Sequence, residues 1–239
     1  MIEMVRRFLR QKIGSLGTLI ALGLLALFEA VPLNTNQGFG IPSRLAVLLL
    51  AAGCISRDVS SGAIQMILSR PLKRSEYLFG RYFGTLLAFA GFLITAVAVA
   101  FLLGRLVLRM GPLSEIPAFS WAAAGRGVIE ALFAGALLAA IVLFFSTFLR
   151  GWGDVLALVL AMILLGFMQA AGSALNKPAL VQAGRVAYEN LYPKPDWSHI
   201  LAGQDIVSGP TSQYFLALAC YLALAALVFN RREFSYGQD

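Results

Sequence analysis

Few residues in this sequence carry chemistry, and they are scattered. Three carboxylates, Glu29, Glu130 and Asp154, stand inside or beside long apolar runs. An intramembrane enzyme needs such groups, or metal-binding ones, gathered at one depth; here they sit at the ends of separate runs. Glu29 and Glu130 share a level with Arg44 and Arg126, and together with Gln169 they are candidates for a polar path or outer gate. The competing reading is structural, with the carboxylates reaching the interface or pairing with their neighbours.

Other reactive types are sparser still. His199 is the single histidine and has no His or Cys nearby, so a metal site is not expected. Cys54 and Cys220 each lie within an apolar run, form no CxxC spacing and read as packing residues. No GxxxxGK[ST], HExxH or GxSxG occurs, so neither a nucleotide cradle nor a known hydrolytic centre is written here. We expect no catalytic residue, no metal and no cofactor bound by this chain.

The elements that would position these groups follow from composition. Hydrophobic residues make up 59% of the chain and charged ones 13%, with a mean hydropathy of +0.78. A soluble domain carries about twice that charge, so the solvent is a bilayer. The net charge of +7 reads as basic loops held on one membrane face rather than nucleic-acid binding.

An all-α integral membrane protein is expected, one transmembrane domain over 1–239. Six spans fit the apolar runs, near residues 13–31, 41–55, 82–103, 128–149, 155–171 and 214–229; the second is the shortest. Residues 1–12 place Ile2, Val5, Phe8 and Leu9 on one helical face and Glu3, Arg6, Arg7 and Arg10 on the other, an amphipathic helix lying on the membrane surface. Lys and Arg concentrate at 6–12, 57–81, 150 and 231–232, which puts both termini in the cytoplasm. The segment 172–213 is then extracytoplasmic. Its Asn176 reads as a cap and its Pro178 as a first-turn proline, and Leu180, Ala183, Ala187 and Leu191 form an apolar stripe. Short helices in, or re-entering, the outer leaflet are expected there.

One cytoplasmic stretch interrupts the apolar pattern. As a helix, residues 58–69 put Asp58, Ser61, Gln65 and Ser69 on one face and Val59, Ala63, Met66 and Ile67 on another. Ser56 or Asp58 can cap its start, Pro71 ends it, Lys73 and Arg74 make a basic corner, and Ser75 with Glu76 can start the next helix. Periodicity alone leaves this open between an interfacial anchor and a docking element.

The residue order Asp58, Gly62, Ile64, Ile67, Leu68, Ser69, Arg70, Pro71, Leu72, Arg74, Tyr77, Gly80, Arg81 resembles the cytoplasmic loop of ABC transporter permeases of the type 2, exporter-like class. Ser60 stands where that family has a second acid, Ala63 where it has threonine and Arg81 where it has lysine. The resemblance extends to the six-span layout, the basic start and the large outer loop before the last span. It implies that residues 56–76 are a coupling loop that docks on a separate ATP-binding subunit, with Asp58, Val59, Ser61, Gly62, Gln65, Leu68, Arg70, Pro71 and Arg74 at the contact. ATP and Mg would then sit on that partner, explaining the missing P-loop. The arrangement implied is two ATPases and two permeases, identical or homologous, with room for accessory subunits and contact with lipid, in the cytoplasmic membrane of a bacterium or archaeon. A route rich in Phe, Leu, Ala and Gly fits a hydrophobic or amphipathic exported substrate. The alternative is a membrane scaffold or mechanical subunit using the same ATPase.

Overall fold

The computed structural model describes residues 2–35, 37–60, 73–110, 119–149, 153–193 and 209–231. Among them the regular structure is entirely helical: α1 Ile2–Ile13, α2 Leu16–Asn34, α3 Ile41–Ala51, α4 Ser56–Ser60, α5 Arg74–Met110, α6 Trp121–Ser146, α7 Gly153–Ala174, α8 Pro178–Leu191 and α9 Pro210–Arg231. Five of these, α2, α5, α6, α7 and α9, are long and apolar enough to cross a membrane. Helices α5, α7 and α9 extend beyond their apolar runs at both ends, because helical hydrogen bonding continues into polar flanking turns, whereas α2 and α6 are offset from theirs, α2 starting only at Leu16 and α6 ending already at Ser146. In α5 the uncharged stretch from Tyr82 to Gly104 is about 34 Å long, close to the hydrocarbon thickness.

The chain divides into two compact units. One comprises residues 1–51 and 76–139, the other residues 52–75 and 140–239. In the first, α1 is seated by a single ring. Phe8 is completely buried, lying where a side chain on Gly84 of α5 would have to be. The Arg81 guanidinium covers the Phe8 ring at 5.3 Å and the Tyr77 ring at 5.4 Å, and it donates to Gln11 Oε1 at 3.0 Å. The opposite face of α1 exposes Arg6, Arg7 and Arg10, Arg7 pairing with Glu3 at 3.3 Å. Elsewhere in this unit Asn34 donates to the Ala100 carbonyl at 3.0 Å, tying the end of α2 to α5. Gly135 of α6 admits Phe89 and Val47, and the buried Tyr82 hydroxyl finds the Ala136 carbonyl at 3.2 Å.

In the second unit α7 and α8 form an antiparallel hairpin. The turn between them differs from the capped start read in the sequence. Lys177, not Asn176, is the N-cap of α8, and Asn176 takes a left-handed conformation, φ +50, which asparagine tolerates. The packed face also differs. Of the expected stripe Leu180 lies against Gly172, but Val181 and Gly184 complete the contact with α7 while Ala183 and Ala187 are exposed, because the bare Gly184 backbone lets α8 approach Leu165 and Gln169 more closely than any alanine could.

Candidate functional site

The site is built around the segment that leaves α3. After Ala51 the chain turns through Ala52–Ile55 into α4, and Gly53 takes φ +63, a conformation glycine adopts without strain. A turn of this kind leaves its amides without helical partners, and buried amides need acceptors. Two side chains from the ends of neighbouring helices supply them. Asp154, in the first turn of α7, accepts the Gly53 amide on Oδ2 at 2.9 Å, while its Oδ1 takes the Val155 amide at 2.8 Å. Ser146, the last residue of α6, accepts the Ile55 amide at 3.2 Å and the Ser56 amide at 3.0 Å on one hydroxyl oxygen. Both side chains are completely buried, as are Cys54, Ile55 and Ser56 between them.

The segment's other foot is held too. Arg74, opening α5, donates to the Asn230 carbonyl at 2.9 Å. That carbonyl lies in the last turn of α9, where unsatisfied oxygens and the helix dipole favour a cation. The stretch 52–75 thus starts from the α6 and α7 ends and finishes on the α9 end, all within one compact unit.

The residues singled out in the sequence fall into this picture unevenly. Asp58 is buried, 5% exposed, in the first turn of α4, so in the single chain it faces inward. Val59 is half-buried. Arg74 reaches a backbone carbonyl of its own chain rather than only outward groups. Ser61, Gly62, Gln65, Leu68, Arg70 and Pro71 lie outside the described residues.

The candidate gate residues are not brought together. Glu29 is completely buried; its carboxylate accepts the Gly40 amide and, at 2.7 Å, the Ser43 amide, with the Arg44 charge close enough to act on it. It therefore caps the start of α3 from the side. Glu130 is exposed on α6, and Gln169 is half-buried where α7 meets Gly184. Among the described residues no three of His, Cys, Asp and Glu cluster.

Sequence reasoning noticed Asp154 only as a span-end carboxylate and passed over Ser146. The signal was available: a lone serine at the end of an apolar run and an aspartate a few residues later, beside a turn glycine at 53, are the pieces such a tie needs.

Five apolar helices of spanning length and a polar-rooted loop define a polytopic membrane protein whose loop is built into its helix ends. The sequence pattern of the ABC-2 family transporter proteins matches residues 6–184, well over half of the chain, and the chain belongs to that family. No curated protein matches it significantly. Membership makes it a membrane permease of an ABC transporter, a kind of chain that generally has no catalytic centre of its own and partners an ABC ATP-binding subunit.

Proposed function

We propose that this chain is the permease subunit of an ATP-driven exporter and that residues 56–76 are the element on which its ATP-binding subunit acts. The observation that carries the reading is the rooting of that segment. A loop meant only to connect two spans needs no buried carboxylate and serine at one foot and an arginine tie at the other. A lever does, because slack at its feet would absorb the displacement it transmits. Asp58 serves this lever from within, and the docking contact falls to Ser61, Gly62, Gln65, Leu68 and Arg70. Asp154 and Ser146 are positioning residues that pass the motion to α7 and α6.

The remaining architecture follows. The short α3, about 16 Å long, is the second of six spans. It can be short because its start is capped by Glu29 below the end of α2 and its exit turn is satisfied by Asp154 and Ser146, so irregular backbone at membrane depth stays paired. The basic ends of α1, the 56–76 segment and α9 face the cytoplasm. Two permeases and two ATPases make the complex, and Glu130, an exposed carboxylate on a spanning helix, faces the second permease or the route rather than lipid. The same rooted segment would also serve a mechanical subunit with no exported compound, and substrate-stimulated ATP hydrolysis separates the two.

The test is affinity purification of the full chain from its host in mild detergent. A P-loop ATPase is expected to remain bound and to be lost in a Gln65→Arg, Leu68→Arg double variant that still inserts. Gly62→Trp is expected to keep the ATPase but lose substrate stimulation of hydrolysis. Absence of any ATPase across several detergents would reject the assignment.

A further inference from the structure

The helix α8 turns back along the spanning-length helix α7 and carries charge with it. A turn closed by the Lys177 amide on the Gly172 carbonyl at 2.8 Å reverses the chain after α7. The two helices then run antiparallel, with Gly172 against Leu180 and Val181, and Gly184 against Leu165 and Gln169. At 1.5 Å per residue this register puts Gly184 about 20 Å along α7 from Asp154 and about 10 Å short of the Ala174 end. Glu189 lies about 7 Å deeper still. The far end of α8 gives the same height independently: Tyr221, midway along α9, donates its hydroxyl to the Leu191 carbonyl at 3.3 Å. Arg185 and Glu189 therefore flank the middle of a hydrocarbon layer about 30 Å thick.

Charges at that height are stable when covered by protein or open to water. The unit that holds them does not cover them. The Arg185 and Glu189 side chains are 74% and 58% exposed and pair with each other at 2.8 Å, one helical turn apart. Gln182 is exposed on the same face, whereas the packed face is Val181 and Gly184. The neighbouring α7 exposes Ile163, Leu164 and Phe167.

From this arrangement we propose that the Gln182–Arg185–Glu189 stripe lines a water-filled route and takes the dipolar head group of an amphipathic solute, its anionic end toward Arg185 and its cationic end toward Glu189. The solute's apolar chain runs on the Ile163, Leu164 and Phe167 surface. The inference rests on the permease reading and narrows its substrate class to zwitterionic amphipaths. A neutral head would leave the Arg185–Glu189 pair closed on itself, and a singly charged head would engage one member while stranding the other; only a zwitterion gives both a counterpart when the pair opens.

Thiol chemistry tests the route without any ATPase. In a chain carrying Cys54→Ala and Cys220→Ala, cysteines introduced by Gln182→Cys, Arg185→Cys and Glu189→Cys should react in membrane vesicles with a membrane-impermeant charged methanethiosulfonate at least tenfold faster than one introduced by Leu164→Cys. Equal sluggishness at all four positions, or a disulfide between two copies at Arg185→Cys, would overturn the route. Head-group selection is read from ATP hydrolysis by the purified complex with three dodecyl probes below their micellar concentrations: dodecylphosphocholine, dodecyl sulfate and dodecyltrimethylammonium. The zwitterion should stimulate most in the native complex. Arg185→Gln should move the preference to the cation and Glu189→Gln to the anion, and the reversed pair Arg185→Glu, Glu189→Arg should restore the zwitterion. An unchanged preference in both single variants would overturn the proposal. A native preparation holding no ATPase would sink the permease reading instead, and the route would then stand or fall on the thiol rates.

Discussion

At the Glu29 corner a carboxylate reaches 11 and 14 residues along its own chain to the amides of Gly40 and Ser43. At the foot of the 56–76 segment, Asp154 reaches across 101 residues to Gly53, and Ser146 across 91 and 90 to Ile55 and Ser56. Both places solve the same problem, irregular backbone buried beside α3, with the same physical device. The difference lies in what each ties together. Glu29 closes a local corner between consecutive helices. Asp154 and Ser146 join a loop to helices far away in sequence, so a displacement of that loop must either break them or carry the helix ends along. A local cap contributes stability; a long-range tie contributes stability and, in the proposed lever, would also transmit force.

That contrast can be broken by substitution, and the largest effect belongs to the local corner. Glu29→Ala leaves the buried Ser43 amide and the half-buried Gly40 amide without acceptors, at about 1–3 kcal/mol for the first and less for the second. It should sharply lower the yield of inserted protein and its thermal midpoint in detergent, with Glu29→Gln recovering part because one acceptor remains. Asp154→Ala removes the acceptors of the Gly53 and Val155 amides; the second is a first-turn amide that a helix start leaves unpaired anyway, so a loss of about 1–3 kcal/mol, from the Gly53 amide, is expected. Its distinguishing outcome is kinetic: the ATPase stays bound and hydrolyses ATP, but hydrolysis no longer responds to substrate. If Asp154→Ala only lowers the melting temperature and leaves stimulation intact, the two corners are alike and the force-transmitting role is wrong.

Gly53→Ala sharpens the comparison by straining the turn while keeping every acceptor. A left-handed alanine costs about 1–2 kcal/mol, and hydrogen exchange of residues 53–59 should speed up without loss of ATPase association. Arg74→Ala removes an exposed contact to a helix-end carbonyl, worth about 0.3–1 kcal/mol. Stability should scarcely change, and any fall in ATPase association would mark the second foot as part of the docking element.

What the sequence made legible follows from what each physical signal can see. Apolar runs report the need to face lipid, so α2, α5, α6, α7 and α9 were visible as spans, and the 3.6-residue alternation of Ile2–Ile13 was visible as a surface helix. The start of α5 was legible from Ser75 and Glu76, but other helix ends were not, since residues 104–110 and 121–127 stay helical around Arg105, Arg109 and Arg126. The α8 helix was readable from Pro178 and its periodicity, yet its packed face was not. Periodicity favours the alanines, whereas the decisive contact is the bare backbone of Gly184 against Leu165 and Gln169. The proposed docking residues rest on resemblance alone, while Ser146 and Asp154 were visible as polar residues at span ends but their partners, the amides of Gly53, Ile55 and Ser56, leave no trace in residue type.

The most direct measurement of the central claim is site-directed photocrosslinking in intact cells. A photoreactive side chain at Gln65 and, as control, at Leu175 at the far end of α7 would be irradiated and the adducts identified by mass spectrometry. A crosslink from position 65 to a P-loop ATPase is expected, and none from position 175. A chain that crosslinks to no ATPase from position 65, or equally well from position 175, would contradict the assignment of residues 56–76 as the element that receives the work of ATP.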